Sequence, residues 1–285
     1  MPPVSSETPH GLGLLKQRFL FAWARGRSFA GRARLFYHTG LKPPLSYRGF
    51  LKYKTNRILH FPIKTISGKE FEVFVRDNLY DLETLVEYFS TRRDFLPRDL
   101  PLIQPRVIYD IGAHVGFASL FLSAHYPGAR LYGFEPLPAN HEICSLNYRN
   151  LPEARCFPWA VGAVSGNTAF EFEASDLRGG RLADSAPTPV ASLGRVTVPT
   201  FSIADLITRQ GLEPPDILKI DVEGAELDVL KGAADHVRQV KAIFIETHGP
   251  ALQAACLDWL AAHDFAIRHL HQDARGFASI WCDRR

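Results

Sequence analysis

The chain has 285 residues, which allows one large domain with appendages or two small ones and excludes a many-domain assembly. With 46% hydrophobic and 22% charged residues it can bury a core, which excludes wholesale disorder and a collagen-like repeat. The net charge of +3 conceals an asymmetry: residues 1–57 hold eleven Lys or Arg against the single acid Glu7, a balance of +10, and the remainder sums to −7.

The four cysteines (Cys144, Cys156, Cys256, Cys282) form no CxxC pair. Neither a disulfide framework nor a structural zinc site is expected, and a reducing, cytoplasmic compartment is. No apolar run approaches the roughly 18 residues of a membrane span. The longest candidate in the head, 19–24, stops at Arg25, which is also too short for a secretory signal.

The Pro-rich opening, 2–9, reads as a disordered terminus. Beyond it Leu12, Leu15, Phe19, Ala22, Trp23 and Ala30 recur at helical spacing, flanked or opposed by Lys16, Arg18, Arg25, Arg27, Arg32 and Arg34. This predicts a basic amphipathic helix, weakened by Gly26 and Gly31. Such a helix can pack its Leu, Phe and Trp face on the chain's own main domain and leave the arginines in water, which is the first expectation. Contact of residues 12–57 with an anionic membrane surface is the second, and nucleic acid the least favoured.

Alternation over 71–75 predicts a strand, and 81–89 a helix, in what reads as an annex spanning 58–105. From Arg106 apolar strands alternate with helical patterns, the signature of a parallel α/β sheet. The strands fall at 107–111, 130–135, 154–161, 217–221 and 242–246, with a closing pair near 265–271 and 277–282. Residues 175–195 are rich in Gly, Ser, Ala and Pro without a sustained period, and read as a lid or a loosely held insertion. The expected organisation is an extension over 1–57 and a main domain over 58–285, its core starting at 106.

Four strand ends carry the chemistry. At the first, Asp110 precedes a turn holding Gly112, Ala113, His114 and Gly116 that leads into a helical pattern, so backbone can approach a ligand closely. At the second, Glu135 stands before Pro136, nineteen residues after Gly116, where a carboxylate can accept from a ribose diol. A dinucleotide dehydrogenase and an adenosyl-cofactor enzyme share both features. The dinucleotide fingerprint, however, needs a middle glycine where His114 stands, and Asp110 would repel a pyrophosphate yet suits an ammonium. The pattern therefore points to S-adenosylmethionine. At the third, Lys219 lies inside an apolar strand, with Asp221 and Glu223 beyond it, more charge than helix capping explains. The fourth, 242–249, again ends a strand with polar groups, Glu246, Thr247 and His248.

The strings YDIGAHVGFASL (109–120), GFEPLPAN (133–140), AVGAVSGNTAFE (160–171), DILKIDVEGAELDVLKGA (216–233) and IFIETHG (243–249) resemble the FkbM family of methyltransferases. The resemblance implies a class I methyltransferase fold: a Rossmann-like, seven-stranded, mostly parallel sheet with a reversed last strand and helices on both faces. It implies S-adenosylmethionine as cofactor and O-methylation of a sugar, glycolipid or natural-product hydroxyl. By position, Asp110, Gly112, Ala113, His114 and Gly116 would line the methionine part, with His114 where the family usually has Asn. Glu135 and Pro136 would hold the ribose, Trp159 and Ala160 the adenine, and Asp221 would face the donor.

His248, with an ordinary pKa near 6.5, suits a general base at neutral pH, and equally suits a bond to a loop backbone. Asp221, Glu223 and Lys219 complete the catalytic candidates. Asp221, Glu223, Glu246 and His248 together suit Mg or Mn, although no close ligand spacing calls for a metal. His269 and His271 share a strand face without partners and stay outside the site. An NAD-dependent oxidoreductase and a non-catalytic binding domain are the rival readings.

Overall fold

The computed structural model describes residues 12–43, 54–90, 103–173, 176–182, 193–273 and 276–285; the opening 2–9 lies outside them. The chain divides into two units, Met1–Arg92 and Arg93–Arg285. The boundary expected at 57/58 falls inside a strand, and the annex elements group with the basic helices.

The first unit runs α1 (Leu12–Arg25), α2 (Phe29–Phe36), a π-helical turn (Tyr37–Leu41), β1 (Lys54–Lys64), β2 (Glu70–Asp77) and α3 (Leu79–Phe89), with β1 and β2 antiparallel. The single helix expected from Leu12 is two. Gly26 forms an isolated bridge to Ile63, and Ser28 then caps α2 by accepting from the Gly31 N–H at 3.1 Å. Asn78 caps α3 by accepting from the Asp81 N–H at 2.7 Å, while the buried Asp81 carboxylate takes both Nε and Nη2 of Arg76.

The expected orientation of α1 is reversed in part. Its buried residues are Phe21, Ala22 and Arg25, the Arg25 Nε donating to the Phe89 carbonyl at 2.8 Å, whereas Leu12, Phe19 and Trp23 stay exposed. An arginine whose head finds a carbonyl can be buried along its stem, so charge alone did not mark the outer face.

In the second unit seven strands, β3 (Val107–Ile111), β4 (Arg130–Phe134), β5 (Ala154–Phe157), β10 (Ile217–Ile220), β11 (Ala242–His248), β12 (Phe265–Gln272) and β13 (Phe277–Arg284), form one sheet. Their order across it is β12-β13-β11-β10-β3-β4-β5. Neighbours from β5 to β11 are parallel, and β13 is antiparallel to both β11 and β12, which makes it the reversed last strand. The parallel strands β3 and β10 are buried along their whole length, as continuous apolar runs require when both faces are covered.

The strand expected over 154–161 is split at Pro158, which has no N–H to offer a ladder. Its second part, β6 (Ala160–Val161), joins β7 (Gly166–Glu173), β8 (Asp176–Leu182) and β9 (Leu193–Phe201) in a four-stranded sheet ordered β6-β9-β7-β8. The expected insertion at 175–195 is therefore strand at both its described ends, and 183–192 lie outside the described residues. Backbone pairing with β7 needs no side-chain period, which is why β8 had no alternating signature. The helices of this unit are α4 (Phe117–His125), α5 (Pro138–Tyr148), α6 (Ile203–Thr208), α7 (Glu226–Lys231) and α8 (Pro250–Ala262).

Candidate active site

The first strand, β3, sits between β10 and β4, so strand order reverses there and a crevice opens at the carboxyl ends. Every residue anticipated from the strand ends lies along this edge.

The turn after β3 uses left-handed backbone at Gly112 (φ 78°), His114 (φ 50°) and Gly116 (φ 86°). His tolerates this region better than most side chains. A Cβ on Gly112 would collide with the Asp221 carbonyl oxygen, so that glycine lets the turn close against the end of β10. The N–H groups of Gly112 and Ala113 both donate to the Phe134 carbonyl at 3.0 Å.

Asp110 is fully buried. Its Oδ2 accepts from Ser119 at 2.7 Å and its Oδ1 lies 3.2 Å from Lys219 Nζ, its direct neighbour across β3 and β10. The carboxylate is committed below the turn, and the expected direct contact with a ligand's ammonium is not offered by this arrangement. Lys219 also donates to the Gly112 carbonyl at 2.8 Å and lies 3.5 Å from Asp221 Oδ2. It ties the glycine turn to the two acids.

Glu135 is buried at the end of β4, where it accepts from the N–H of His114 (2.8 Å), the N–H of Leu137 (3.0 Å) and Asn140 Nδ2 (3.3 Å). Burial raises its pKa to about 7, against the opposing hydrogen bonds from Leu137 and His114. A carboxylate offers about four lone-pair sites, so three are taken and Oε2 keeps room for one hydroxyl where two had been expected. Pro136 follows in the same bend. Trp159 stacks on Phe157 at 4.4 Å and meets Phe201 at 4.8 Å, against the main core, so its ring is already covered on one side; Ala160 is buried beside it.

The densest charge lies where β10 and β11 end. His248 Nδ1 is 2.8 Å from Glu226 Oε1, and Nε2 is 3.2 Å from Glu223 Oε2 and 4.0 Å from Asp221 Oδ1. Glu226, fully buried in the first turn of α7, also accepts from the Gly224 N–H at 2.9 Å. The strand-to-helix turn is shaped by left-handed backbone at Glu223 (φ 54°) and Gly224 (φ 114°). Burial alone would lower the His248 pKa, but the bond to Glu226 and the charges of Glu223 and Asp221 outweigh it and raise it to about 10. The imidazole is thus held as an imidazolium at neutral pH, which removes the expected role of free base.

Ligand atoms of Asp221, Glu223 and His248 lie within 4.8 Å of one another, a donor set of the kind that binds divalent cations. Glu246, on the same strand as His248, is not in that group, and His269 and His271 stand on the edge strand β12. Sequence reasoning missed Glu226 as the anchor of His248, and Ser119 and Tyr148, whose oxygens meet at 2.6 Å under the turn. A signal for Tyr148 existed: Gly133 interrupts an apolar strand, and a Cβ there would strike the Tyr148 hydroxyl.

The sheet order, the reversed β13 and the glycine turn at the switch point define the class I methyltransferase fold. The family model for the methyltransferase FkbM domain matches residues 110–277, and the chain belongs to that family.

Among curated relatives, the hexuronic acid methyltransferase AglP of Haloferax volcanii is 28% identical over 142 residues, covering 50% of this chain and 56% of AglP. The 2-O-methyltransferase NoeI of Sinorhizobium fredii is 31% identical over 152 residues (49% and 62% of the two chains). The 31-O-demethyl-FK506 methyltransferase FkbM of Streptomyces tacrolimicus is 25% identical over 220 residues (67% and 84%). The chain thus spans little more than half the length of AglP and NoeI. The crystal structure of methyltransferase FkbM from Methylobacillus flagellatus KT aligns at TM-score 0.48 and 15% identity, over 93% of this chain and 58% of that one.

Proposed function

We propose that the chain is an S-adenosylmethionine-dependent O-methyltransferase acting on a hydroxyl of a sugar, glycolipid or natural product. The observation that carries this is the cluster of Asp221, Glu223, Glu226 and His248 at the ends of two strands, one residue of which touches the glycine turn. The sugar and natural-product substrates printed for the family relatives support the acceptor class.

The cofactor fits the donor chemistry of this edge. The remaining lone pair on Glu135 Oε2 suits a ribose hydroxyl, the Gly112–Gly116 turn admits the methionine part, and Trp159 with Ala160 borders the adenine end. When bound, the cofactor supplies a methyl group on a sulfonium, which leaves with the S–C bond pair on sulfur as the O–C bond to the acceptor forms.

The protein's own share is alignment and charge. Asp221 and Glu223 are the groups placed to receive the hydroxyl proton. Both face the His248 imidazole, itself held by Glu226, and Lys219 lies against Asp221 from the other side.

The test is isothermal titration with S-adenosylhomocysteine and with NAD on wild type and Glu135→Gln, followed by transfer from labelled donor to a panel of sugars. Homocysteine-nucleoside binding weakened by the substitution, with labelled product lost in Asp221→Asn/Glu223→Gln, supports the reading. NAD binding alone sinks it, and cofactor binding without transfer to any acceptor favours a non-catalytic domain. Chelation separates proton acceptance from metal catalysis: turnover unchanged by EDTA supports the carboxylates as bases, and loss restored by Mg makes the cluster a metal centre.

A further inference from the structure

We propose that the first unit docks on an anionic lipid surface through the outer face of α1 and α2. The sequence between Glu7 and Glu70 contains no acidic residue and thirteen Lys or Arg, an electrostatic bias independent of the methyltransferase site. Among the described residues no helix is long and apolar enough to cross a membrane, so the contact is one of surface docking.

The structure adds what charge alone does not. With α1 packed through Phe21, Ala22 and Arg25, its other side presents Leu12 at 86% exposure and Leu20 at 55%, and the start of α2 presents Phe29 at 74%. Phe19 and Trp23, both more than two-fifths exposed, stack at 5.2 Å; Trp23 meets Phe29 edge-on at 5.9 Å; and the Arg32 guanidinium sits 5.3 Å above the Trp23 ring. A row of touching aromatic rings, with exposed leucines on the same helix face, is costly in water, and apolar patches on soluble proteins mark interaction sites.

The composition selects the occupant. Trp and Arg side by side suit the boundary between headgroups and acyl chains, where a ring is half in hydrocarbon and a guanidinium meets phosphate. Lys16 and Arg34 add exposed positive charge on the same two helices, whereas Arg27 is compensated by Glu70 and Glu72 at 3.0 and 3.1 Å. Nucleic acid would satisfy the cations and leave the leucines in water. A bilayer rich in phosphatidylglycerol satisfies both.

The experiment is flotation of the full chain with phosphatidylglycerol-rich vesicles and with pure phosphatidylcholine vesicles, at low and high salt. Wild type is expected to float with the anionic vesicles, lose binding by more than about tenfold on charge reversal at Lys16→Glu/Arg34→Glu, and weaken in high salt. Leu20→Ser/Phe29→Ser, at exposed positions whose change leaves the fold intact by circular dichroism, should lose binding even at low salt. Quenching of Trp23 by brominated acyl chains, absent in Trp23→Phe, reports insertion. Failure of wild type to float, or flotation indifferent to both variants, overturns the proposal. So does a concentration-dependent dimer that Leu20→Ser/Phe29→Ser abolishes while vesicles stay unbound, since a second copy would then cover the face.

Discussion

The ends of β4 and β11 lie on the same edge of one sheet and bury ionisable groups by opposite means. At β4 the Glu135 carboxylate is surrounded by two backbone N–H groups and the Asn140 amide, all neutral, and its pKa rises to about 7. At β11 the His248 imidazole is surrounded by three carboxylates and its pKa rises to about 10. Burial at one end, only partly offset by the surrounding dipoles, holds the acid well above the usual carboxylate range, ready to ionise when a ligand arrives. Formal charges at the other end hold a permanent ion cluster. The first arrangement suits a binding group, the second an electrostatic environment for developing charge.

The comparison breaks most severely where a formal charge is removed. Lys219→Met leaves Asp110, fully buried, without its cation, and loss of one partner of a buried pair costs about 3–5 kcal/mol. Urea unfolding should show this loss. The double variant Asp110→Asn/Lys219→Met should recover most of it, because no buried charge is then left alone. Equal destabilisation in single and double variants would mean the lysine acts by packing.

Proton linkage separates the two ends by pH. The folded Glu135 value lies above its ordinary 4.5, so between there and about 7 the folded protein holds a proton that the unfolded chain has released. Stability therefore falls by about 3 kcal/mol across that window, and Glu135→Gln should flatten the slope there. For His248 in metal-free protein, stability from its carboxylate partners is complete below 6.5 and lost as pH rises through about 10. The two declines have the same sign and adjoining windows, which unfolding measured at stepped pH resolves. Affinity for S-adenosylhomocysteine should move the other way, rising as Glu135 ionises.

A smaller effect tests whether Glu226 alone sets the His248 state. Glu226→Gln keeps the shape and an acceptor for Nδ1 but removes one of three negative charges, and should lower the imidazole titration seen by NMR. The accompanying loss of stability is about 2 kcal/mol, the scale of a charge-assisted bond exchanged for a neutral one. An unmoved titration would assign the shift to Glu223 and Asp221.

The strands β3, β4, β10 and β11 were legible because parallel strands buried on both faces are short apolar runs, and the residues at or just beyond their ends are polar where they meet the crevice. Asp110, Glu135, Asp221 and His248 were found for that reason. Glu226 was not, since an acid in the first turn of a helix reads as an ordinary partner of the helix dipole, and only the fold shows it facing an imidazole. The sheet of β6 to β9 escaped because it pairs through backbone and carries Gly179-Gly180 in β8, which dilutes alternation. The outer face of α1 escaped for a different reason: helical spacing identifies a stripe, but two stripes compete when arginine stems can be buried as well as leucines.

The smallest effect lies between the two ends. Ser119 donates to Asp110, so the Tyr148 hydroxyl donates to Ser119 in turn, and α5 is thereby tied to the charged pair of β3 and β10. Tyr148→Phe removes one neutral hydrogen bond and leaves Ser119 its bond to Asp110, for a loss of about 1 kcal/mol. Gly133 makes this link directional. It stands opposite Asp110 in the register of β3 and β4, and a Cβ there would collide with the Tyr148 hydroxyl oxygen. Gly133→Ala should therefore destabilise wild type more than it destabilises Tyr148→Phe, where the nearest colliding atom is gone and a ring carbon at 2.7 Å remains, and a double-mutant cycle by urea unfolding reads the difference. Additive losses would show that the glycine is required for a reason other than the approach of that hydroxyl.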